Sequence, residues 1–129
     1  MGKRKRVTAD ARKEANKSRY FASLKNCPTS PQKMRYVADL IRGMEVFKAL
    51  SVLKFNTRAS STKLEKLITS AINNYEQKTG QKPDADTLVV KEVFVDSGFQ
   101  LKRLRTAPQG RAYRIKKRSN HVTVVLDKK

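Results

Sequence analysis

The residues best placed to do chemistry in this chain are cations, crowded between Phe99 and Arg118. The stretch FQLKRLRTAPQGRAYRIKKR holds eight of them, Lys102, Arg103, Arg105, Arg111, Arg114, Lys116, Lys117 and Arg118, and no carboxylate. Lys and Arg at this density neutralise phosphates, and each contact releases condensed counterions, so the binding they support weakens steeply with salt. Between them stand Leu101, Leu104, Tyr113 and Ile115, side chains that stack on bases or lie against sugars while the charges follow a backbone. This is the chemistry of holding a polyanion rather than of making or breaking bonds.

Material for bond chemistry is thin. His121 is the single histidine and sits inside a strand pattern, where a structural or RNA-contacting role fits it better than general-base work. Asp84, Asp86, Glu92 and Asp96 lack any recognisable metal-ligand spacing, and aspartates in polar loops are ordinarily turn formers. Neither a phosphate-cradling P-loop nor a Gly-rich dinucleotide fingerprint occurs. No enzyme activity, cofactor or metal is therefore expected.

The cationic stretch needs elements to hold it. It is flanked by LVVKEVFV (residues 88–95) and HVTVVL (residues 121–126), two runs rich in β-branched residues that read as strands. Ala107-Pro108-Gln109-Gly110 supplies a turn between them, with Pro where a type I turn wants a fixed φ. If Ala107 and Gly110 close that turn, Val95 faces Val122 and Val93 faces Val124, the apolar pairs a buried sheet face requires. Carried outward, the same register sets Arg103 against Arg114, a repulsive pair on a two-stranded ribbon that is marginal in water even when neutral. Arms of about ten residues at roughly 3.4 Å each would reach on the order of 30 Å beyond the sheet.

The remaining chain reads as a compact helical partner for that sheet. YFASLKNC (residues 20–27) permits a short strand. Ser30 and Pro31 then mark a helix start, with Met34, Val37, Ala38 and Ile41 at helical spacing and Gly43 as the stop. Lys33, Arg35 and Arg42 lie off its apolar stripe. A second helix over about 45–54 uses Val46, Ala49, Leu50 and Leu53, and a third over about 58–78 uses Leu64, Leu67, Ile68, Ala71, Ile72 and Tyr75 before Gly80. The expected fold is α+β: a small sheet packed against three helices, a long two-stranded β-hairpin extension, and a basic N-terminal tail. One domain is expected over residues 1–129, with a flexible tail at 1–19, a globular part at 20–98 and 119–127, and the hairpin at 99–118.

Charge separates these parts. The chain has 129 residues and a formal charge of +19. Residues 1–20 carry eight basic and two acidic groups, a net +6, and the hairpin carries +8. With few large apolar groups, the tail should stay irregular until it meets a partner. Lys3-Arg4-Lys5-Arg6 suits a nucleic-acid patch better than a nuclear address in so basic a chain. Asn16-Lys17-Ser18 matches a glycosylation acceptor by chance. No apolar run approaches the roughly 20 residues needed to cross a membrane, no apolar segment follows the N-terminal charges as a secretory signal requires, and the lone Cys27 excludes an internal disulfide. An intracellular setting is expected.

Several motifs in order make the chain resemble a known family. SPQKMRYVADLIRG (residues 30–43), Lys102-Arg103, GRAYRI (residues 110–115), Lys117-Arg118 and HVTVV (residues 121–125) resemble the large-subunit ribosomal protein family numbered twenty-two, in its bacterial form. The resemblance covers about residues 20–127. It implies a structural constituent of the cytoplasmic large ribosomal subunit that binds large-subunit rRNA and neighbouring ribosomal proteins, without membrane or homo-oligomer. It also implies that the hairpin tip, Arg105, Thr106, Ala107, Pro108, Gln109, Gly110 and Arg111, lines the nascent-peptide exit tunnel and meets the nascent polypeptide. The eight ribbon cations, with Lys33, Arg35, Arg42, Tyr113 and His121, are the expected rRNA contacts. Where the family often has Pro-Arg-Ala-x-Gly at the tip, this chain has Thr106-Ala107-Pro108-Gln109-Gly110, one basic group fewer. Gln32 likewise stands where a basic residue is common.

Without the resemblance, a second reading of the ribbon competes: a DNA-bending architectural protein whose basic arm carries Pro108 as a wedge. Such arms generally work as symmetric pairs. No second apolar face remains in the sequence to build a dimer once the core is made, so RNA is favoured.

Overall fold

In a computed structural model, which describes residues 3–84 and 87–129, the elements follow the α+β expectation. They are α1 (Lys3–Lys17), β1 (Tyr20–Cys27), α2 (Pro31–Ile41), α3 (Val46–Phe55), α4 (Ala59–Thr79), β2 (Leu88–Thr106) and β3 (Ala112–Lys128). The three strands form one antiparallel sheet in the order β1-β3-β2. Strand β3 is thus central, and its Val122, Val124 and Leu126 alternate into the core with at most 2% exposure. Opposite them stand Val95 and Val93 of β2, as the valine alternation requires, and Val90, brought onto the same face by a register shift between Val90 and Glu92.

Helices α2, α3 and α4 cover the inner face of this sheet. Their apolar stripes are buried as spaced: Met34, Val37, Ala38 and Ile41; Val46, Ala49 and Leu53; and Leu64, Leu67, Ile68, Ala71, Ile72 and Tyr75. Leu50 packs half-buried against the same cluster. Gly80 ends α4 in the left-handed region at φ 69°, a conformation that an L side chain resists.

Both sheet edges are closed by polar groups from the helical layer. At β2, the Gly43 N–H donates to Val90 O at 2.8 Å and the Val90 N–H donates to Met44 O at 2.9 Å. Farther along, Arg42 Nη2 donates to Val93 O at 2.9 Å and Arg35 Nη2 to Val95 O at 3.0 Å. These bonds occupy carbonyls that would otherwise invite another strand. At β1, Asn74 Nδ2 donates to Phe21 O at 3.0 Å. The strand breaks register between Leu24 and Cys27, where Asn26 takes φ 54° and gives its N–H to His121 Nδ1 at 3.0 Å.

The N-terminal segment departs from expectation. Instead of an irregular tail, residues 3–17 form α1, with no buried side chain. Ala9, Ala11 and Ala15 among long Lys, Arg and Glu side chains favour helix locally, without Gly or Pro to interrupt. Lys17 Nζ to Glu14 Oε1 at 2.6 Å and Lys13 to Asp10 at 3.8 Å add i,i+3 pairs. Asp86 lies outside the described residues. The Asp84 carbonyl accepts the Thr87 hydroxyl at 2.7 Å, a turn-forming role. Among the described residues no helix is long and apolar enough to cross a membrane.

Two stability measurements check this packing. Ile68, fully buried on α4, should cost about 2–5 kcal/mol when cut to Ala, read as a lower urea midpoint. The second concerns Asp127, whose carboxylate accepts from Lys91 Nζ and then from the Lys128 N–H, contacts that hold its pKa below the ordinary value. A depressed carboxyl stabilises the fold above its unfolded-state pKa and loses that contribution as pH falls through the folded value. Asp127→Asn should lower neutral-pH stability slightly, since the pair is exposed, and make the fall below about pH 4 less steep.

Candidate nucleic-acid interface

Strands β2 and β3 run on together past the core as a paired ribbon from Gln100–Arg118 out to Thr106–Ala112. No residue between Asp96 and Ser119 is buried. The register that pairs Val95 with Val122 holds to Ser97 and Asn120, then shifts by one where Gly98 and Phe99 together oppose Ser119. This β-bulge corrects the expected facing of Arg103 and Arg114: Arg103 faces Ile115, and Arg114 faces Leu104. The like-charge pair is Lys102 against Lys116.

The bulge has a steric reason at Gly98. A Cβ there would stand 2.7 Å from Ser119 Oγ and 3.2 Å from His121 Nε2, and Ser119 Oγ is already committed as a donor to Phe99 O. A glycine inside a strand pattern is a recognised mark of a bulge. Reading Gly98 that way would have found the shift from sequence.

The tip turn also differs. Arg111 N–H donates to Pro108 O at 3.4 Å, and Ala107 N–H donates to Arg111 O at 3.0 Å. The turn is therefore Pro108–Arg111, one residue later than the expected 107–110. Its central residues Gln109 and Gly110 have φ 62° and 69°. Positive φ at both positions belongs to the mirror-image hairpin turns whose twist matches that of the strands.

Alternation along the arms sorts the cations. Lys102, Arg114, Lys116 and Arg118 share one face with Leu104, while Arg103, Arg105 and Lys117 share the other with Leu101, Tyr113 and Ile115. One face is chiefly charge; the other mixes charge with apolar surface, including Tyr113 at 65% exposure. Among the described residues, none of the eight ribbon cations has a carboxylate partner. Arg103 bonds only to the adjacent Lys102 carbonyl, at 2.9 Å.

The expected contacts on α2 divide. Arg35 and Arg42 are turned to β2 carbonyls, and Arg42 also binds Asp39 Oδ1 at 2.7 Å, so both guanidinium groups hold the sheet edge. Lys33 is exposed and has no carboxylate partner among the described residues. His121 lies at the ribbon's base and its Nδ1 is occupied by Asn26 N–H. Sequence reasoning overlooked Phe99, which is 70% exposed where the ribbon leaves the core.

Comparison with known proteins bears on the whole of this arrangement. Residues 22–127 match the family described as ribosomal protein L22p/L17e. The chain is 65% identical over 127 residues to the large ribosomal subunit protein uL22 of Flavobacterium johnsoniae, covering 98% of this chain and 93% of that protein. It is 60% identical over 127 residues to the protein of that name from Parabacteroides distasonis, covering 98% and 93%. The one from Bacteroides fragilis is 58% identical over 129 residues, covering 100% and 95%.

With Lys102 set against Lys116 and no side chain buried along its length, the free ribbon is expected to be poorly self-supporting. Amide exchange across residues 99–118 of the isolated protein should be orders of magnitude faster than at Val93 or Val124, and protection equal to the core's would refute this. Gln109→Asn, a residue better suited to the first central position of the turn, should slow exchange at the tip relative to the parent chain.

Proposed function

The chain belongs to the ribosomal protein L22p/L17e family, and accordingly we propose that it is a structural, non-catalytic constituent of the cytoplasmic large ribosomal subunit. Its partner there is the large-subunit rRNA, with neighbouring ribosomal proteins around the globular part. The observation that carries the RNA reading is the ribbon: eight cations without carboxylate partners among the described residues, on two exposed strands whose own pairing sets Lys102 against Lys116. Phosphates threaded along both faces neutralise that repulsion and release counterions. Family membership favours this over the DNA-bending reading.

Roles then follow residue by residue. Lys102, Arg103, Arg114, Lys116, Lys117 and Arg118 hold phosphates along the arms. Tyr113 adds a stacking surface. Lys33 extends the cationic track onto α2, whereas Arg35 and Arg42 act indirectly, by fixing β2 so that the ribbon leaves the core at a set angle. His121 acts in the same way through Asn26. The tip, Arg105 to Arg111, lies on the order of 30 Å from the sheet, far enough to line the exit tunnel and meet the nascent polypeptide while the globular part stays outside.

Replacing Arg103, Arg114 and Lys117 together with Ala should weaken rRNA binding and lower the salt slope by about 2, at roughly 0.7–0.9 for each phosphate no longer held. Co-sedimentation with large subunits at rising salt reads the same weakening, and unchanged binding would rule out the arms as phosphate holders. The tunnel role has its own test. A photo-crosslinking residue at Gln109, in subunits carrying a stalled chain, should capture the nascent polypeptide; capture of rRNA alone would confine the tip to RNA.

A further inference from the structure

Where the ribbon leaves the core, its base and the segment before α2 enclose a cleft of about 730 Å³. Its lining combines three chemistries. Phe99, Leu101 and Pro28 supply an apolar wall, Lys33, Lys117 and Arg118 supply charge, and Asn26 with Ser30 supplies hydrogen-bonding groups. The cations have no carboxylate partner among the described residues. The Ser30 hydroxyl makes no capping bond, although it stands at the start of α2.

Resting on the RNA reading above, we propose that this cleft seats one unstacked nucleotide of the bound RNA, its base against Phe99 and its flanking phosphates on Lys33 and Arg118. A surface that only tracks duplex phosphates needs cations alone, and an exposed phenylalanine adds nothing to it. Single-stranded RNA, in contrast, is recognised by splayed bases stacked on aromatic rings, with polar groups reaching the base edge. Phe99 at 70% exposure is such a ring held open, and the Asn26 amide and Ser30 hydroxyl are the groups positioned to reach an edge. Charge complementarity excludes a cationic protein segment as the occupant.

The test compares two probes on the full-length chain: a short single-stranded oligoadenylate and an RNA duplex of matched phosphate count. Phe99→Ala should weaken oligoadenylate binding between about 5- and 150-fold, the effect of removing one stacked base, and leave duplex binding unchanged. Phe99→Trp should restore it, and the melting temperature of each variant checks that the fold is intact. Equal weakening on both probes, or on neither, would overturn the proposal, the first by making Phe99 a support for the ribbon's base and the second by emptying the cleft of function. Failure of the RNA reading is distinguished by a variant lacking Lys102, Arg103 and Arg114, none of which lines the cleft, which should weaken binding to both probes whatever Phe99 does.

Discussion

Charge of one sign gathered on two exposed strands repels itself, and the rest of this molecule is arranged around that constraint. Lys102 stands directly across from Lys116, where like charges destabilise a strand pair. The core cannot relieve this, because nothing between Asp96 and Ser119 is buried. What the core does is fix the base. Strand β3 is central in the sheet through Val122, Val124 and Leu126, so the same backbone that is locked by packing at one end is projected as a cationic arm at the other. On the proposed rRNA reading, a polyanionic partner supplies the counter-charge that the arm lacks and couples assembly to order in the ribbon.

Arg35 on α2 and Arg42 just past its end show how cations can serve the core as well as the ribbon. Arg35 and Arg42 direct their donors to the Val95 and Val93 carbonyls, closing the β2 edge just before the bulge at Gly98. A guanidinium suits this task, since its rigid fork of N–H groups spans a backbone acceptor and a neighbour such as Asp39 together. Among the described residues, the side chains of the ribbon's own cations make no bond to another element; Arg103 bonds only the adjacent Lys102 carbonyl. The division between clamping and free groups therefore follows from which cations bridge from one element to a carbonyl of another.

That distinction also marks what a reader of the sequence could see. Valine alternation and helical stripes made the core legible, because burial of one face imposes periods of 2 and 3.6 on any sheet and helix. The cationic stretch was legible as a ribbon for the same reason. Its register is legible only when Gly98 is read as a bulge, since one extra residue there changes every later pairing. Helix α1 leaves no apolar signal, since it buries no side chain and rests on the helix preference of Ala, Lys, Arg and Glu alone. The fate of Arg35 and Arg42, and the cleft that joins residues 26–33 to residues 99–118, depend on contacts between segments far apart in the chain, which no local pattern encodes.

The most direct measurement of the central claim is a cryo-EM map of the large ribosomal subunit containing this chain, at a resolution that shows side chains. The expected result is a ribbon ordered to its tip, with Lys102, Arg114, Lys116 and Arg118 each within about 4 Å of an rRNA phosphate oxygen, the ordinary reach of an ion pair. A ribbon equally ordered but lying against solvent or protein, its cations far from phosphate, would contradict it.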